Sequence, residues 1–270
     1  MINLRGKVAV ITGSSRGIGK SIAIELAKQG AFIVLNGRNP DRLESAKLEL
    51  IKIHKNIITY CCDVSDSNQA NELIKTAIKN FEKLDILVNN VGVSMRGDVA
   101  DLNPEVFKTV FGSNVLGSVY PTIPAIKELR KTKGSIVFIS SLAGIRGLPY
   151  LSAYSSSKMA LRGIAESIRI EEEKHNIHVG LVLVGITQIE HNKETISSDG
   201  SKKILKKRDS SKVDSTEKVA KNVLKNIQKR KFITTLTPIG KLNKFLQARF
   251  PMLVEKIILG NLSKFQEKSE

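Results

Sequence analysis

Tyr154 and Lys158 stand four residues apart in the stretch YSSSK. On a helix such a pair lies on one face and can point into one pocket. A free phenol has a pKa of ~10 and exchanges protons poorly at neutral pH. An ammonium beside it stabilises the phenolate and brings that pKa towards the working range. The pair is therefore a candidate acid–base device, although an exposed i, i+4 pair on a solvated helix has the same spacing. Ser141, thirteen residues upstream and just past an apolar run, is a candidate to hold a substrate oxygen beside Tyr154.

A second set of residues suits a phosphorylated ligand. TGSSRGIG (12–19) joins a β-branched run to a helix start. Gly13 suits a tight turn, Gly17 lets backbone approach a ligand, and Gly19 lets the helix pack near the strand; the helix N-terminus then favours a pyrophosphate. The spacing is G-x3-G-x-G, and an ordinary turn is the alternative. The next apolar run ends in NGRNPDR (36–42). A dinucleotide site carries there an acid for the ribose hydroxyls or an arginine for a 2′-phosphate. No acid stands at Asn36 or Gly37; Arg38 follows, and Arg16 lies in the glycine loop. The pattern favours NADP(H) over NAD(H), unless Arg38 only caps its loop. Asp63 is placed to bond an adenine amino group, and Asp66 to cap the next helix. In NNVG (89–92) Gly92 lets backbone lie against a ligand, whereas Asn89 and Asn90 read equally well as turn residues.

The elements that must position these groups alternate in type. Strand-like runs cover 8–12, 31–36, 57–62, 85–90, 135–140 and 178–184. Helical patterns cover 18–30, 41–54, 68–81, a long stretch from Pro104 towards Lys131, and 152–174. Strands that are apolar throughout, each followed by an amphipathic helix, predict a parallel sheet covered on both faces. The expected class is α/β, a single Rossmann-like, doubly wound sheet with ligands beyond the carboxyl ends of its strands. Residues 187–215 are polar and read as a mobile substrate loop; 216–230 read as a helix, and KFITTLT as an edge strand. From Lys241 apolar residues recur at helical spacing, with Pro251 expected to break or kink the run. The division is a catalytic domain over 1–240 and an amphipathic, basic helical extension over 241–270.

Composition narrows the partners. The 270 residues are 41% hydrophobic, enough for one sizeable core, and carry a net charge of +17. The excess lies mainly between Lys202 and Lys256 and suits anionic partners, or is simply a solvated lysine-rich surface. No apolar run approaches the ~20 residues of a membrane span. No signal-peptide layout precedes the first strand. A cytoplasmic protein is expected, with peripheral membrane contact through the basic extension as one option and protein packing of that helix as the other. Cys61 and Cys62 are adjacent, unsuited to pairing, and expected as core residues; no metal site is expected.

Together, TGSSRGIG, CDV, NNVG, Asn114 in FGSNVLG, the serines at 140–141 and YSSSK resemble the short-chain dehydrogenase/reductase family in order and spacing. The resemblance covers about residues 5–187 and is specific because six short motifs agree. It implies that Tyr154 is the general acid in ketone reduction and the base in the reverse direction. Ser141 would hold the reacting oxygen. Lys158 would bond the nicotinamide ribose and lower the tyrosine pKa, and Asn114 would hold a water linking Lys158 to solvent. The cofactor set on this reading is Gly13, Ser15, Arg16, Gly17, Ile18, Gly19, Arg38, Asp63, Val64, Asn90, Gly92, Tyr154, Lys158, Gly185 and Thr187. The chain departs from the family at Val91, where alanine is usual. It departs again in VGITQI (184–189), where Val184 replaces a proline and Ile189 takes a threonine position. Thr187 would then reach the carboxamide.

The stretch SSLAGIRGLPYLSAYSSSKMAL is closer to branches with lipid, steroid or retinoid substrates than to acyl-carrier reductases. The leading expectation is an NADPH-dependent oxidoreductase of a hydrophobic, long-chain ketone or secondary alcohol, working as a homodimer or homotetramer. A 3-oxoacyl-[acyl-carrier] reductase docking an acidic carrier is the alternative. A non-catalytic NADP-sensing or nucleic-acid-binding protein has only the charge in its favour; aromatics for base stacking are 5% of the chain and no nucleic-acid motif appears. Residues near Met95, from Ile145 to Leu151 and from Gln188 to Lys212 are expected to set the substrate.

Overall fold

The computed structural model describes residues 2–188, 193–205, 208–209 and 213–266. In chain order the main sheet takes β1 (Val8–Ile11), β2 (Phe32–Gly37), β3 (Ile57–Cys61), β4 (Ile86–Asn89), β6 (Ser135–Ser141), β7 (His178–Val184) and β10 (Ile233–Thr235). All seven pair in parallel, in the order β10-β7-β6-β4-β1-β2-β3. The order reverses between β1 and β4, which opens a crevice at their carboxyl ends. The expected class holds, including the edge strand in KFITTLT.

Helices α1 (Gly17–Lys28), α2 (Pro40–Leu50) and α7 (Thr216–Gln228) cover one face, where Ile22, Leu26, Leu43, Val219 and Val223 share a core with Ile11, Ile33 and Val137. Helices α3 (Ser67–Phe81), α5 (Gly117–Thr132) and α6 (Ser152–Glu171) cover the other, where Leu73, Leu129 and Leu161 pack on Val10, Leu87 and Phe138. Local signals set the boundaries. Asn39 caps α2 through Arg42 N, Asp66 caps α3 through Gln69 N, and Asn103 caps α4 (Pro104–Phe111) through Glu105 N.

The long helix expected from Pro104 is divided. A π-helical turn at Gly112–Leu116 separates α4 from α5, and α5 contains Pro121 and Pro124. Each proline withholds a backbone donor and crowds the preceding turn. Ser118 and Thr122 also bond back through their hydroxyls to the carbonyls of Asn114 and Ser118, at 2.8 and 2.7 Å.

Residues 187–215 are not the featureless loop expected. Strands β8 (Glu194–Ser197) and β9 (Lys202–Ile204) pair antiparallel, and β8 adds in parallel to β5 (Met95–Arg96). Thr187 bridges Asp214. Backbone pairing with β5, invisible in a polar sequence, organises the segment. Cys61 also departs from expectation: it ends an edge strand and is exposed, while Cys62 is buried and burial pushes its thiol up to about 12.

The chain ends in α8 (Pro238–Arg249), α9 (Pro251–Leu259) and α10 (Leu262–Gln266), and Pro251 starts α9 after a break at Phe250. Among the described residues no helix is long and apolar enough to cross a membrane.

Candidate active site

A cavity of about 960 Å³ runs along the carboxyl ends of the central strands, from Arg38 and Asp63 at one end to Tyr154, Thr187 and Arg208 at the other. Its walls include every cofactor residue expected from the sequence except Gly17, together with Ser141.

The glycine loop is fixed from behind by side chains. Asn36 Oδ1 accepts from Gly13 N, and its Nδ2 donates to the Tyr60 and Cys62 carbonyls, all at 3.2 Å. Asn90 Nδ2 donates to the Thr12 and Gly13 carbonyls at 3.0 Å each. Asn90 is thus a strut of the loop, although it borders the cavity. Gly13 has a φ of +61°, and a Cβ there would stand 2.9 Å from Val91 Cγ2. A Cβ on Gly19 would stand 2.4 Å from the Gly13 carbonyl oxygen. Glycine at both positions therefore lets the loop close tightly on itself and on Asn90 and Val91 at the start of α1. Arg38 Nη1 pairs with Asp63 Oδ2 at 3.1 Å across the mouth of this end. Asp63 also accepts from Ser65 N and Oγ, at 2.9 and 2.6 Å. Burial raises its pKa, and the Ser65 bonds and Arg38 outweigh that, leaving it below its ordinary value.

At the other end, α6 carries Tyr154 and Lys158. The Tyr154 ring packs on a small cluster of Met95, Val106, Val110 and Ala153. Ser141 ends β6; its Oγ accepts from Ala143 N at 3.2 Å, and its hydroxyl is near enough to the Tyr154 phenol to lower the phenol's pKa. Lys158 Nζ lies 6.0 Å from the centre of the Tyr154 ring and donates to the Ile139 carbonyl at 3.0 Å. Asn114, from the π-helical turn, is fully buried behind the wall. Its Oδ1 accepts from Val93 N at 2.7 Å, and its Nδ2 donates to the Val93 carbonyl and to Ser157 Oγ, at 3.0 and 2.9 Å. A Cβ on Gly92 would come within 3.1 Å of both Lys158 Nζ and Asn114 Oδ1, so a bare backbone keeps that space open.

The electrostatics depart from the simple expectation. Burial pushes the Tyr154 phenol above its ordinary value; the Ser141 hydroxyl and the charge of Arg208 pull it back only in part. The Lys158 ammonium faces the ring and the Ile139 carbonyl. Burial, then the charge of Lys193, holds Lys158 down at about 8. Thr187 turns its hydroxyl to the Gly185 carbonyl at 3.2 Å. Ile189 lies outside the described residues.

The short chain dehydrogenase family matches residues 7–200. The chain belongs to this family. A 3-ketodihydrosphingosine reductase of Bos taurus is 43% identical over 65% of the chain and 55% of its own length. The chain therefore spans about half the length of that relative. A 3-dehydrosphinganine reductase of Danio rerio is 36% identical over 88% of the chain and 74% of its own length. Among solved structures, a family member from Burkholderia phymatum in complex with NAD has a TM-score of 0.82 at 22% identity, covering 94% of this chain and 96% of its own. An alcohol dehydrogenase from Thermococcus sibiricus complexed with 5-hydroxy-NADP has a TM-score of 0.74 at 26% identity, covering 85% and 95%.

The sequence did not single out Arg96, Lys193 or Arg208, which line the cavity beside Tyr154. They fall in two of the three segments expected to set the substrate, but nothing in a lysine-rich polar stretch marks which cations line the cavity. Phe265 of α10 also reaches the cavity wall.

Proposed function

We propose that this short-chain dehydrogenase is an NADPH-dependent carbonyl reductase of hydrophobic, lipid-like ketones, able to run the reverse alcohol oxidation. The observation that carries the reading is the meeting of Tyr154, Ser141 and Lys158 in one cavity with the glycine loop. A nicotinamide dinucleotide, when bound, supplies the hydride. Ser141 holds the carbonyl oxygen, and Tyr154 hands its hydroxyl proton to that oxygen as charge develops there. Lys158 bonds the ribose, steadies the phenolate left behind, and takes part with Asn114 and its water in returning a proton. Thr187 is assigned to the carboxamide, to which its hydroxyl would turn from the Gly185 carbonyl.

Arg38 and Arg16 flank the far end of the cavity, where no acid replaces them at 36 or 37, and this supports NADP(H). Arg38→Asp is expected to raise the KM for NADPH about tenfold or more while NADH is spared, the scale of one charge-assisted phosphate contact. Equal losses with both coenzymes would mean that Arg38 does not read the phosphate.

The names of the relatives support a lipid substrate. So does the apolar face of the extension, where Leu242, Phe245, Phe250, Met252, Leu253 and Ile257 are exposed beside Lys241, Lys244 and Lys256. We take α8 to α10 to rest on a lipid interface next to the cavity mouth. A homodimer or homotetramer is proposed from the apolar groove between α5 and α6, where Ile123 is exposed beside Ile126 and Ile164. Sedimentation of the wild type and of Ile123→Glu would decide it, a monomeric wild type ruling it out.

A further inference from the structure

Tyr150 lines the cavity in a backbone conformation that a tyrosine disfavours. Its φ is +61°, in the left-handed region where a Cβ crowds the following carbonyl oxygen. Among the described residues four others that are not glycine share that region, and each sits at a helix end. Glu82, Lys133 and Asn176 are the C-caps of α3, α5 and the short turn Glu173–His175, and Arg230 follows the C-cap of α7. A left-handed residue commonly closes a helix in that way. Tyr150 closes none; it stands in the segment before α6, four residues ahead of Tyr154. The backbone there is fixed without the side chain. The Tyr150 carbonyl accepts from Gly97 N at 3.0 Å, Leu151 N donates to the Leu148 carbonyl at 3.2 Å, and Leu148 N donates to Ser155 Oγ at 3.3 Å. A glycine would take the same turn without strain.

The fold gains little from the ring. Tyr60, Tyr120 and Tyr154 pack against the hydrophobic cores, whereas Tyr150 belongs to none of them. Its hydroxyl meets no hydrogen-bond partner among the described residues. Strained residues persist where their surroundings over-determine them, and they gather at ligand sites. Leu148, Pro149 and Leu151 line the same cavity. Gly97, which holds the Tyr150 carbonyl, follows Met95 and Arg96, and Met95 packs with the Tyr154 ring. We infer that Tyr150 is a specificity-determining residue. Its ring is the wall on which the apolar chain beside the reacting carbonyl packs, and it selects long-chain ketones over short ones. This rests on the carbonyl-reductase reading and narrows it to one contact.

Chain-length selectivity tests this. NADPH oxidation is followed with hexan-2-one, decan-2-one and tetradecan-2-one, and kcat/KM for the longest is divided by that for the shortest. This ratio does not depend on how much of the protein is folded. Tyr150→Gly is expected to lower it about tenfold or more, the scale of losing one aromatic contact. Tyr150→Phe keeps the ring and is expected to keep the ratio. The glycine variant is also expected to melt no lower than the wild type, because relief of left-handed strain offsets the greater freedom of glycine in the unfolded chain. A wild-type ratio near one, or a ratio unchanged in Tyr150→Gly, overturns the inference while leaving the reductase intact. So does a lower melting temperature of that variant, which would assign the ring to packing. So does a ratio lost in Tyr150→Phe, which would assign recognition to the hydroxyl. If no ketone of the series is reduced with NADPH or NADH, the reductase reading itself fails.

Discussion

Lys158 is held at about 8 by burial and by the charge of Lys193, so it changes protonation near neutrality. Below that pH it is an ammonium and can steady the phenolate that Tyr154 becomes on donating its proton; above it the amine is neutral and that help is gone. Ketone reduction is therefore expected to fall as pH rises through about 8. Lys193→Gln removes one of the two causes and is expected to move that limb upward, as a kcat/KM profile would show; an unmoved limb would mean that another group sets it. At this scale the sequence shows Tyr154, Lys158 and Ser141 because their spacing is local. It hides Asn36 and Asn90 as struts, since their partners lie on the glycine loop and on neighbouring strands. It also hides Arg96 and Arg208, whose inward orientation depends on a pairing between segments a hundred residues apart.

The strands were the most legible elements, because a strand buried on both faces is apolar throughout. The π-helical turn was not, because a five-residue segment is too short to show a period of its own in the apolar pattern. The β5-β8-β9 sheet was missed for a different reason: short, exposed strands such as Lys202–Ile204 carry no apolar alternation. One strand also predicts a pH effect on stability. His178 of β7 is buried, with Nε2 3.0 Å from the Lys231 carbonyl and Nδ1 3.2 Å from Ser135 Oγ. Burial, then the charges of Arg230 and Arg169, depress its pKa to about 4 against that Lys231 bond. The unfolded chain thus takes up the proton first. The contribution of His178 is complete above about 6.5 and lost as pH falls towards 4, by up to about 3 kcal/mol. Denaturant midpoints at pH 7.5 and 4.5 should differ more for the wild type than for His178→Asn; equal differences would refute the assignment.

Across the whole molecule, two cores on either face of the sheet hold the strand ends in register, and the cavity opens where the strand order reverses. The basic helical extension was legible as an amphipathic run, but its place was not. Arg146, from the segment before α6, bonds Gln247 Oε1 and the Pro251 carbonyl at 3.2 and 3.4 Å and pairs with Glu255 at 3.3 Å, which ties α8 and α9 to the cavity rim. The membrane reading predicts that the protein floats with vesicles containing phosphatidylserine and less with neutral ones, and that Phe245→Glu with Leu253→Glu abolishes flotation. Equal recovery with and without vesicles would refute it. The central claim is proton donation by Tyr154, and the direct measurement is ketone-dependent NADPH oxidation by Tyr154→Phe beside NADPH binding followed by coenzyme fluorescence. A loss of about 10²–10⁴ in turnover with binding retained is the predicted result; a phenylalanine variant that turns over at the wild-type rate would contradict it.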